Sequence, residues 1–159
     1  AKSGDTAMTT PDGYDISNAA TAGADSYDIG VTSMKIQALG DWEIVSTGTP
    51  LTSLTQMIFS IGDCEMPAVA KADGVKNVTL SGAFVDAGKP KAIAPGASLS
   101  GDPKGLKLLG TIKGDPRTDK KAAAQFKITY TVAALSGTGE ALGSVYVGDD
   151  KTAAGFDTP

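Results

Sequence analysis

The sequence contains no histidine, which limits the acid–base chemistry that its side chains can perform. Histidine is the side chain whose ordinary pKa lies nearest neutral pH, so it is the usual proton carrier in catalysis. A Ser-His-Asp triad, a Cys-His dyad and any metal site built on imidazole are therefore excluded. A Ser-Lys arrangement and paired carboxylates stay open, although the sequence identifies neither. We predict a protein that is not an enzyme and that uses no cofactor.

Cys64 is the only cysteine, so it forms no intramolecular disulfide and builds no zinc site alone. The neighbouring Asp63 and Glu65 are acidic, and nearby carboxylates raise the pKa of a thiol. A raised pKa lowers the fraction of thiolate, which is the form of cysteine that acts as a nucleophile. We therefore expect Cys64 to be a small buried residue, and a reactive thiol in a turn at 62–65 is the alternative.

Three glycine-containing segments come close to ligand-binding motifs without matching them. Segment 82–89 ends in Gly-Lys like a phosphate loop, but its glycines are one residue too far apart and Pro90 replaces the Ser or Thr. Segment 96–101 is one residue too long for a nucleophile elbow. Segment 137–143 has the wrong last spacing for a dinucleotide fingerprint. In a chain with 20 glycines, we interpret all three segments as turns.

The charge distribution argues against nucleic acid and membrane partners. The net charge is -4, Arg117 is the only arginine, and Lys120 with Lys121 is the only adjacent pair of lysines. Binding to phosphates needs clustered cations, and the sequence has no such cluster. No apolar run has the length of a membrane span.

Three pairs of aspartates could supply oxygen ligands to calcium, which needs six to eight oxygen atoms. No pair has the spacing of an EF-hand loop, so we predict no metal site, with an ion between loops as the alternative. The pairs are Asp12 with Asp15, Asp25 with Asp28, and Asp149 with Asp150.

Strand patterns recur through the middle of the chain, separated by turns rich in Gly, Pro and Asp. The alternation is clearest over 126–134, where apolar residues alternate with Lys127, Thr129 and Thr131, as in a strand with one wet face. Residues 54–61 are apolar on both faces, which favours a central strand. The predicted strands are 27–38, 42–46, 54–61, 75–85, 106–112, 126–134 and 143–147.

One predicted strand contains a change of phase. Ile29 and Val31 share one face, and the apolar pattern then continues one residue late at Met34, Ile36 and Ala38. Because side chains alternate with a period of two, such a slip predicts a β-bulge.

These patterns predict an all-β fold, a single-domain antiparallel β-sandwich or small barrel of about seven to eight short strands. Residues 1–26 are predicted to form an extended N-terminal arm, 27–148 the β domain, and 149–159 a loose C-terminal tail. The initial Ala1 fits either removal of an initiator Met or cleavage of a signal peptide. The lack of a disulfide pair favours the first.

A β-rich body with two loose ends and no clustered cations favours a structural protein that binds other proteins. Our leading hypothesis is a virion protein, a head-decoration protein of a tailed phage that docks on capsid subunits and forms a homo-oligomer. Tyr14, Ile16 and Tyr27 are the predicted docking contacts, because aromatic residues often dominate interface energy. The alternative is that these three residues cover the domain's own sheet.

Other functional classes stay open. A bacterial surface pilin or adhesin subunit shares the small, Thr-rich and Ala-rich β character. A donor-strand pilin, however, needs an N-terminal extension of alternating apolar residues, and residues 1–26 alternate poorly. A tail-tube protein, a ligand-binding module and an unrecognised enzyme are further alternatives.

Overall fold

The computed structural model of the chain describes residues 5–7, 14–99, 106–113 and 126–142. Within these ranges the chain is built from short strands, with two single-turn 3-10 helices at Lys71–Asp73 and Gly82–Phe84. The strands are β1 (Asp5–Ala7), β2 (Ile29–Ala38), β3 (Glu43–Ile44), β4 (Gln56–Ile61), β5 (Cys64–Glu65), β6 (Val75–Val78), β7 (Val85–Asp86), β8 (Lys89–Pro90), β9 (Leu108–Lys113) and β10 (Phe126–Ala134).

The described strands form two main sheets and one small hairpin. The first sheet has the order β1-β9-β4-β3, with β5 paired to β4, and the second has the order β10-β2-β6. β7 and β8 form the hairpin. Pairing is antiparallel except between β3 and β4, which run parallel. The predicted all-β class is confirmed, and the strands that the structure describes form no closed barrel. The predicted strand at 143–147 lies outside the described residues.

The second sheet is organised around the long antiparallel pair of β2 and β10. Phe126 lies opposite Ala38, and the register continues to Thr131 opposite Ser33. It then shifts, so that Val132 lies opposite Val31 and Thr32 is the extra residue. The bulge predicted from the change of phase is confirmed. It allows both halves of β2 to keep their apolar side chains on the inner face.

The two sheets share one apolar core. Alternate residues of β4 are buried and face the buried side chains of β2, because a β-strand directs successive side chains to opposite faces. Each fully buried large side chain contributes about 1.5–3 kcal/mol relative to an exposed one. The core consists of Val31, Met34, Ile36, Trp42, Ile44, Met57, Phe59, Ile61, Cys64, Met66, Val69, Val78, Phe84, Leu106 and Ile112.

The strand predicted over 75–85 is shorter in the structure and ends at Val78. Gly82 has a φ of 59° and lies against the backbone of Asp63, so the chain turns there instead of continuing as a strand. The 3-10 turn then directs Phe84 into the core, where it is fully buried. The following hairpin turns through Ala87 and Gly88, with φ values of 50° and 79°. Two positive φ values are typical of a two-residue type I′ turn.

Neither helical turn in the described part of the chain has the length or the apolar character needed to cross a membrane.

Candidate docking site

The segment that begins at Tyr14 lies against the sandwich, and two of the predicted docking residues contact the core. The hydroxyl groups of Tyr14 and Tyr130 are 2.9 Å apart and share a hydrogen bond. The backbone of Ile16 accepts a hydrogen bond from the Leu99 amide at 2.9 Å. Both Tyr14 and Ile16 are partly buried and pack against the core cluster. The structure thus places these two residues on the domain's own surface.

Tyr130 connects this segment to the centre of the protein. Its ring lies 6.2 Å from the ring of Phe84, at an interplanar angle of 30°. Burial raises the pKa of Tyr130 well above its ordinary value, and the hydrogen bond that its hydroxyl shares with Tyr14 raises the pKa further. Tyr130 therefore stays a neutral phenol at every physiological pH and acts as a hydrogen-bonding partner, not as a proton carrier.

Asn18 fixes the next part of the segment through both its backbone and its side chain. Its Nδ2 donates to the carbonyls of Tyr27 at 2.9 Å and Ile93 at 3.0 Å, and its Oδ1 accepts from the Ala20 amide at 3.2 Å. Its backbone amide donates to the Ala97 carbonyl at 2.9 Å. Asn18 is only 5% exposed, and a buried amide needs partners inside the protein because water does not reach it. These hydrogen bonds provide them. Sequence reasoning missed this residue, because a single Asn among Ser and Thr has no signature.

Tyr27 is the one predicted docking residue that projects into solvent. Its side chain is 57% exposed, although its carbonyl is held by Asn18. The loop from Ala19 to Asp28 thus presents an aromatic ring on a fixed backbone. The structure brings Tyr14 and Ile16 to the core and keeps Tyr27 apart from it. Contact of any of the three with a partner stays a prediction.

The outer surface of the second sheet is polar and exposed, and we call it the polar face. Lys127, Thr129 and Thr131 of β10 are exposed, as the alternation over 126–134 predicts. Between Lys35 and Lys127 lies a cleft of about 60 Å³. No ion pair of either ammonium group is present among the described residues. The polar face comprises Ser33, Lys35, Gln37, Val75, Asn77, Lys127, Thr129 and Thr131.

β10 forms an edge of the described sheet beside the polar face. It pairs with β2 on one side over nine residues, and no described strand pairs with its other side. Only at its last residue does the Leu142 amide donate to the Ala134 carbonyl. The sequence predicts the strand but not its edge position, because strand order depends on contacts between distant segments.

A second open depression, of about 280 Å³, lies next to β6. Its lining combines hydroxyl and amide groups with Met66 and Pro67, and Glu65 is the only charged side chain among the described lining residues. The lining of this depression is open and largely uncharged. Its described residues offer a surface for contact and contain no pair of groups for acid–base chemistry. The lining residues are Ser46, Thr47, Glu65, Met66, Pro67, Asn77 and Thr79.

Cys64 is fully buried, and its Sγ lies 3.5 Å from the Thr79 carbonyl. The prediction of a small buried residue is confirmed.

Within segment 82–89, the glycines lie in the 3-10 turn and the hairpin, as predicted. Gly139 closes a turn through a hydrogen bond from its amide to the Ser136 carbonyl. Residues 100–105 and 143 lie outside the described ranges.

The calcium candidates are only partly within the described residues. Asp12, Asp149 and Asp150 lie outside them. Across the residues that the structure describes, no three Asp, Glu or Cys side chains gather closely enough to hold a metal ion.

Comparison with family models, with curated proteins and with solved structures finds no match to this chain.

Proposed function

We propose that this protein is a non-enzymatic structural subunit of a virus particle, a head-decoration protein of a tailed phage that docks on capsid subunits. In this role the chain contributes a rigid β body and binds by surface complementarity. Its partners are capsid subunits and other copies of the same chain.

The observation that carries the proposal is the edge position of β10 in the sheet that the described strands form. An edge strand exposes a row of backbone N–H and C=O groups, which is a ready surface for pairing with another chain. Sandwiches that act alone usually keep such edges short or covered, whereas among the described strands β10 pairs over nine residues with β2 and with no other strand. The adjacent polar face adds Lys35 and Lys127, which favour an acidic partner surface.

Tyr27 supports the same role from another part of the molecule. An exposed tyrosine on a fixed backbone loses little conformational entropy when it enters a pocket on a partner. The bond from Asn18 Nδ2 holds the carbonyl of Tyr27, so the backbone that carries the ring is fixed before binding.

A bacterial surface pilin or adhesin subunit is the second candidate, and the same edge of β10 favours it. In donor-strand assembly a neighbouring chain adds a strand to an exposed sheet edge. β10 offers this edge, whereas the poor alternation of residues 1–26 gives the chain little to donate in return. In a tail tube, the same edge would pair with the next subunit of a ring.

Location distinguishes these candidates. An antibody against the purified protein, followed by immunogold electron microscopy of induced cells and purified particles, should label particle heads. Labelling of tails would instead indicate a tail tube, and labelling of intact cell surfaces a pilin or adhesin. Labelling of neither particles nor surfaces would overturn the proposal.

Docking can then be measured with stripped particles and added protein. We expect a double charge reversal on the polar face, Lys35→Glu with Lys127→Glu, to weaken binding at least about tenfold, because it opposes an acidic partner surface. The matched control is Lys71→Glu with Lys91→Glu, which makes the same change in charge at exposed sites elsewhere. Equal loss in both variants would show that net charge, and not the polar face, determines docking.

A further inference from the structure

We propose that Lys35 and Lys127 form a clamp for a single carboxylate, and that the partner segment bound there is an extended peptide with a glutamate two positions from an apolar residue. The inference rests on the proposed docking role and names the chemistry that the polar face recognises. The carboxylate belongs to a protein partner, and binding of a free oxyanion instead is an outcome that the test distinguishes.

The register of the second sheet places the two lysines next to each other. Lys127 lies opposite Gln37 and Lys35 lies opposite Thr129, so the lysines occupy diagonal positions on one face of neighbouring strands. Diagonal positions are about 7–8 Å apart, within reach of long side chains. The cleft of about 60 Å³ is lined by both lysines. Two ammonium groups at this spacing repel each other, whereas an anion between them is attracted by both.

The polar side chains described in the lining of this cleft can all donate hydrogen bonds. Gln37 contributes an amide and Thr129 a hydroxyl beside the two ammonium groups. Among the described residues, no acidic side chain lines the cleft, and none forms an ion pair with either lysine. An ionised carboxylate only accepts hydrogen bonds and has about four sites for them, so it matches this set of donors.

The acidic residue that precedes the cleft on β6 is already engaged. Asp73, two positions before Val75, accepts a hydrogen bond from the Ala70 amide at 2.8 Å and pairs with Lys76 at 3.6 Å. The chain as a whole carries a net charge of -4, which opposes the approach of an acidic ligand. Binding of a carboxylate therefore requires a local excess of positive charge, and the two lysines of the polar face provide one.

Exposed apolar side chains at one end of the second sheet favour a ligand with an aliphatic part. Val75 lines the cleft opposite Gln37 and is 58% exposed. Leu39 follows Gln37 by two positions, just past the end of β2, and is 42% exposed. The methylene groups of a glutamate would cover Val75. An apolar residue two positions away in an extended peptide points to the same side and would cover Leu39.

Peptide titration of the full chain tests the clamp. The probe is acetyl-Leu-Gly-Glu-Gly-amide, and binding is followed by chemical shifts in NMR spectra of the isotope-labelled protein. We expect binding in the millimolar range, with shifts at Gln37, Val75 and Thr129. A peptide with Gln in place of Glu should bind at least about fivefold more weakly, because it lacks the charge. A peptide with Ser in place of Leu should bind at least about twofold more weakly.

Substitutions of the lysines provide the matched comparison. Lys35→Gln with Lys127→Gln should weaken binding of the probe about tenfold. Lys71→Gln with Lys91→Gln removes the same charge at exposed sites elsewhere and should change binding by less than about twofold. All four lysines are exposed, so circular dichroism should show that both variants fold. If the first variant does not fold, salt provides the second measurement, because screening should weaken binding of the probe to the natural chain at least about threefold between low and physiological ionic strength.

Three results would overturn the inference. The first is no shift at the cleft with the Leu-Gly-Glu probe. The second is equal binding by either control peptide or by the Lys35→Gln with Lys127→Gln variant. The third is binding of inorganic phosphate at the same residues as tightly as the probe, which would assign the cleft to a free oxyanion.

Titration and immunogold labelling are independent readouts. Labelled heads without binding of the probe would remove the carboxylate clamp and keep the decoration role. Binding of the probe with unlabelled particles would keep the clamp and remove the decoration role.

Discussion

Tyr14 and Tyr130 are joined by a hydroxyl–hydroxyl hydrogen bond of 2.9 Å, although 116 positions separate them in the sequence. This bond fastens the first described residue after β1 to the middle of the edge strand β10. It links the N-terminal segment to the same strand that carries the polar face.

A double-mutant cycle measures the strength of this link. Tyr14→Phe and Tyr130→Phe each leave one partly buried hydroxyl without its partner, so each should lower the free energy of unfolding by about 1 kcal/mol. In the double variant both hydroxyls are gone, and we expect a coupling energy of about 0.5–1.5 kcal/mol. Urea unfolding of the four proteins gives the cycle, and strictly additive single effects would show that the bond contributes nothing.

The raised pKa of Tyr130 predicts a loss of stability in alkali. In the unfolded chain a tyrosine ionises near pH 10, whereas the folded protein holds the proton to higher pH. Above pH 10 the unfolded state therefore binds fewer protons, and stability falls by at most about 1.4 kcal/mol per pH unit, reduced by the partial exposure of the ring. Below pH 10 the contribution is fully present.

The measurement is chemical unfolding between pH 8 and pH 11, with Tyr130→Phe as the control. Tyr130→Phe lacks the ionisable phenol, so the difference between the two proteins reports the contribution of the Tyr130 hydroxyl, including its bond with Tyr14. Parallel curves for the two proteins would contradict the prediction.

Asn18 should tolerate substitution poorly, because its amide faces two backbone carbonyls. Asn18→Ala should cost about 1–3 kcal/mol through the polar groups left unpaired. Asn18→Asp should cost at least about 3 kcal/mol at pH 7, since it places a carboxylate against the carbonyls of Tyr27 and Ile93. Burial raises the pKa of the new carboxyl above its ordinary value, so the part of this deficit that comes from the charge should shrink as the pH falls toward about 4 and be absent below it.

Thermal melting of these variants at pH 7 and pH 3.5 provides the measurement. Asn77→Asp makes the same chemical change at an exposed position and should alter stability by less than about 0.5 kcal/mol. Equal effects at positions 18 and 77 would contradict the role assigned to Asn18.

Gly82 should resist replacement because of a close approach as well as its φ of 59°. A Cβ at this position would overlap the Cβ of Asp63 and lie 3.0 Å from its Cα. Gly48 has a φ of 86° but no atom within 4 Å of such a Cβ, so it serves as the control. We expect Gly82→Ala to cost about 2 kcal/mol more than Gly48→Ala in urea unfolding. Equal costs at the two positions would show that the backbone conformation, and not the close approach to Asp63, determines the cost at Gly82.

The turn of the β7–β8 hairpin offers a stabilising substitution. Ala87 has a φ of 50°, a conformation that costs an ordinary residue about 1–2 kcal/mol, whereas Asn-Gly is a preferred pair for a type I′ turn. Ala87→Asn should therefore raise the free energy of unfolding by about 0.5–1 kcal/mol. Ala92→Asn, in an exposed loop, should change it little. A destabilised Ala87→Asn variant would contradict this turn assignment.

Features with a strong local pattern were the most predictable parts of the fold. The alternation over 126–134 predicted β10 and its wet face, and the change of phase after Val31 predicted the bulge at Thr32. Both follow from the period of two, which needs no information about distant residues.

Short elements and tertiary contacts were not predictable in the same way. β7 and β8 have two residues each, too few to show a period, and the turn through Ala87 lacks the usual Asn or Asp. The edge position of β10 and the bonds of Asn18 depend on segments far apart in the sequence. Of the predicted docking residues, the exposure of Tyr27 and the packing of Tyr14 likewise follow from the tertiary arrangement and not from local composition.

The bonds of Asn18 have a mechanical consequence. Asn18 ties the N-terminal segment to residues 93–97 through the carbonyls of Ile93 and Ala97 and the amide of Gly96. A pull applied at Tyr14 would have to break these bonds before tension reaches β2 along the chain. Under such a load the hydrogen bonds of Asn18 would break first, while the strands of the sandwich stay paired.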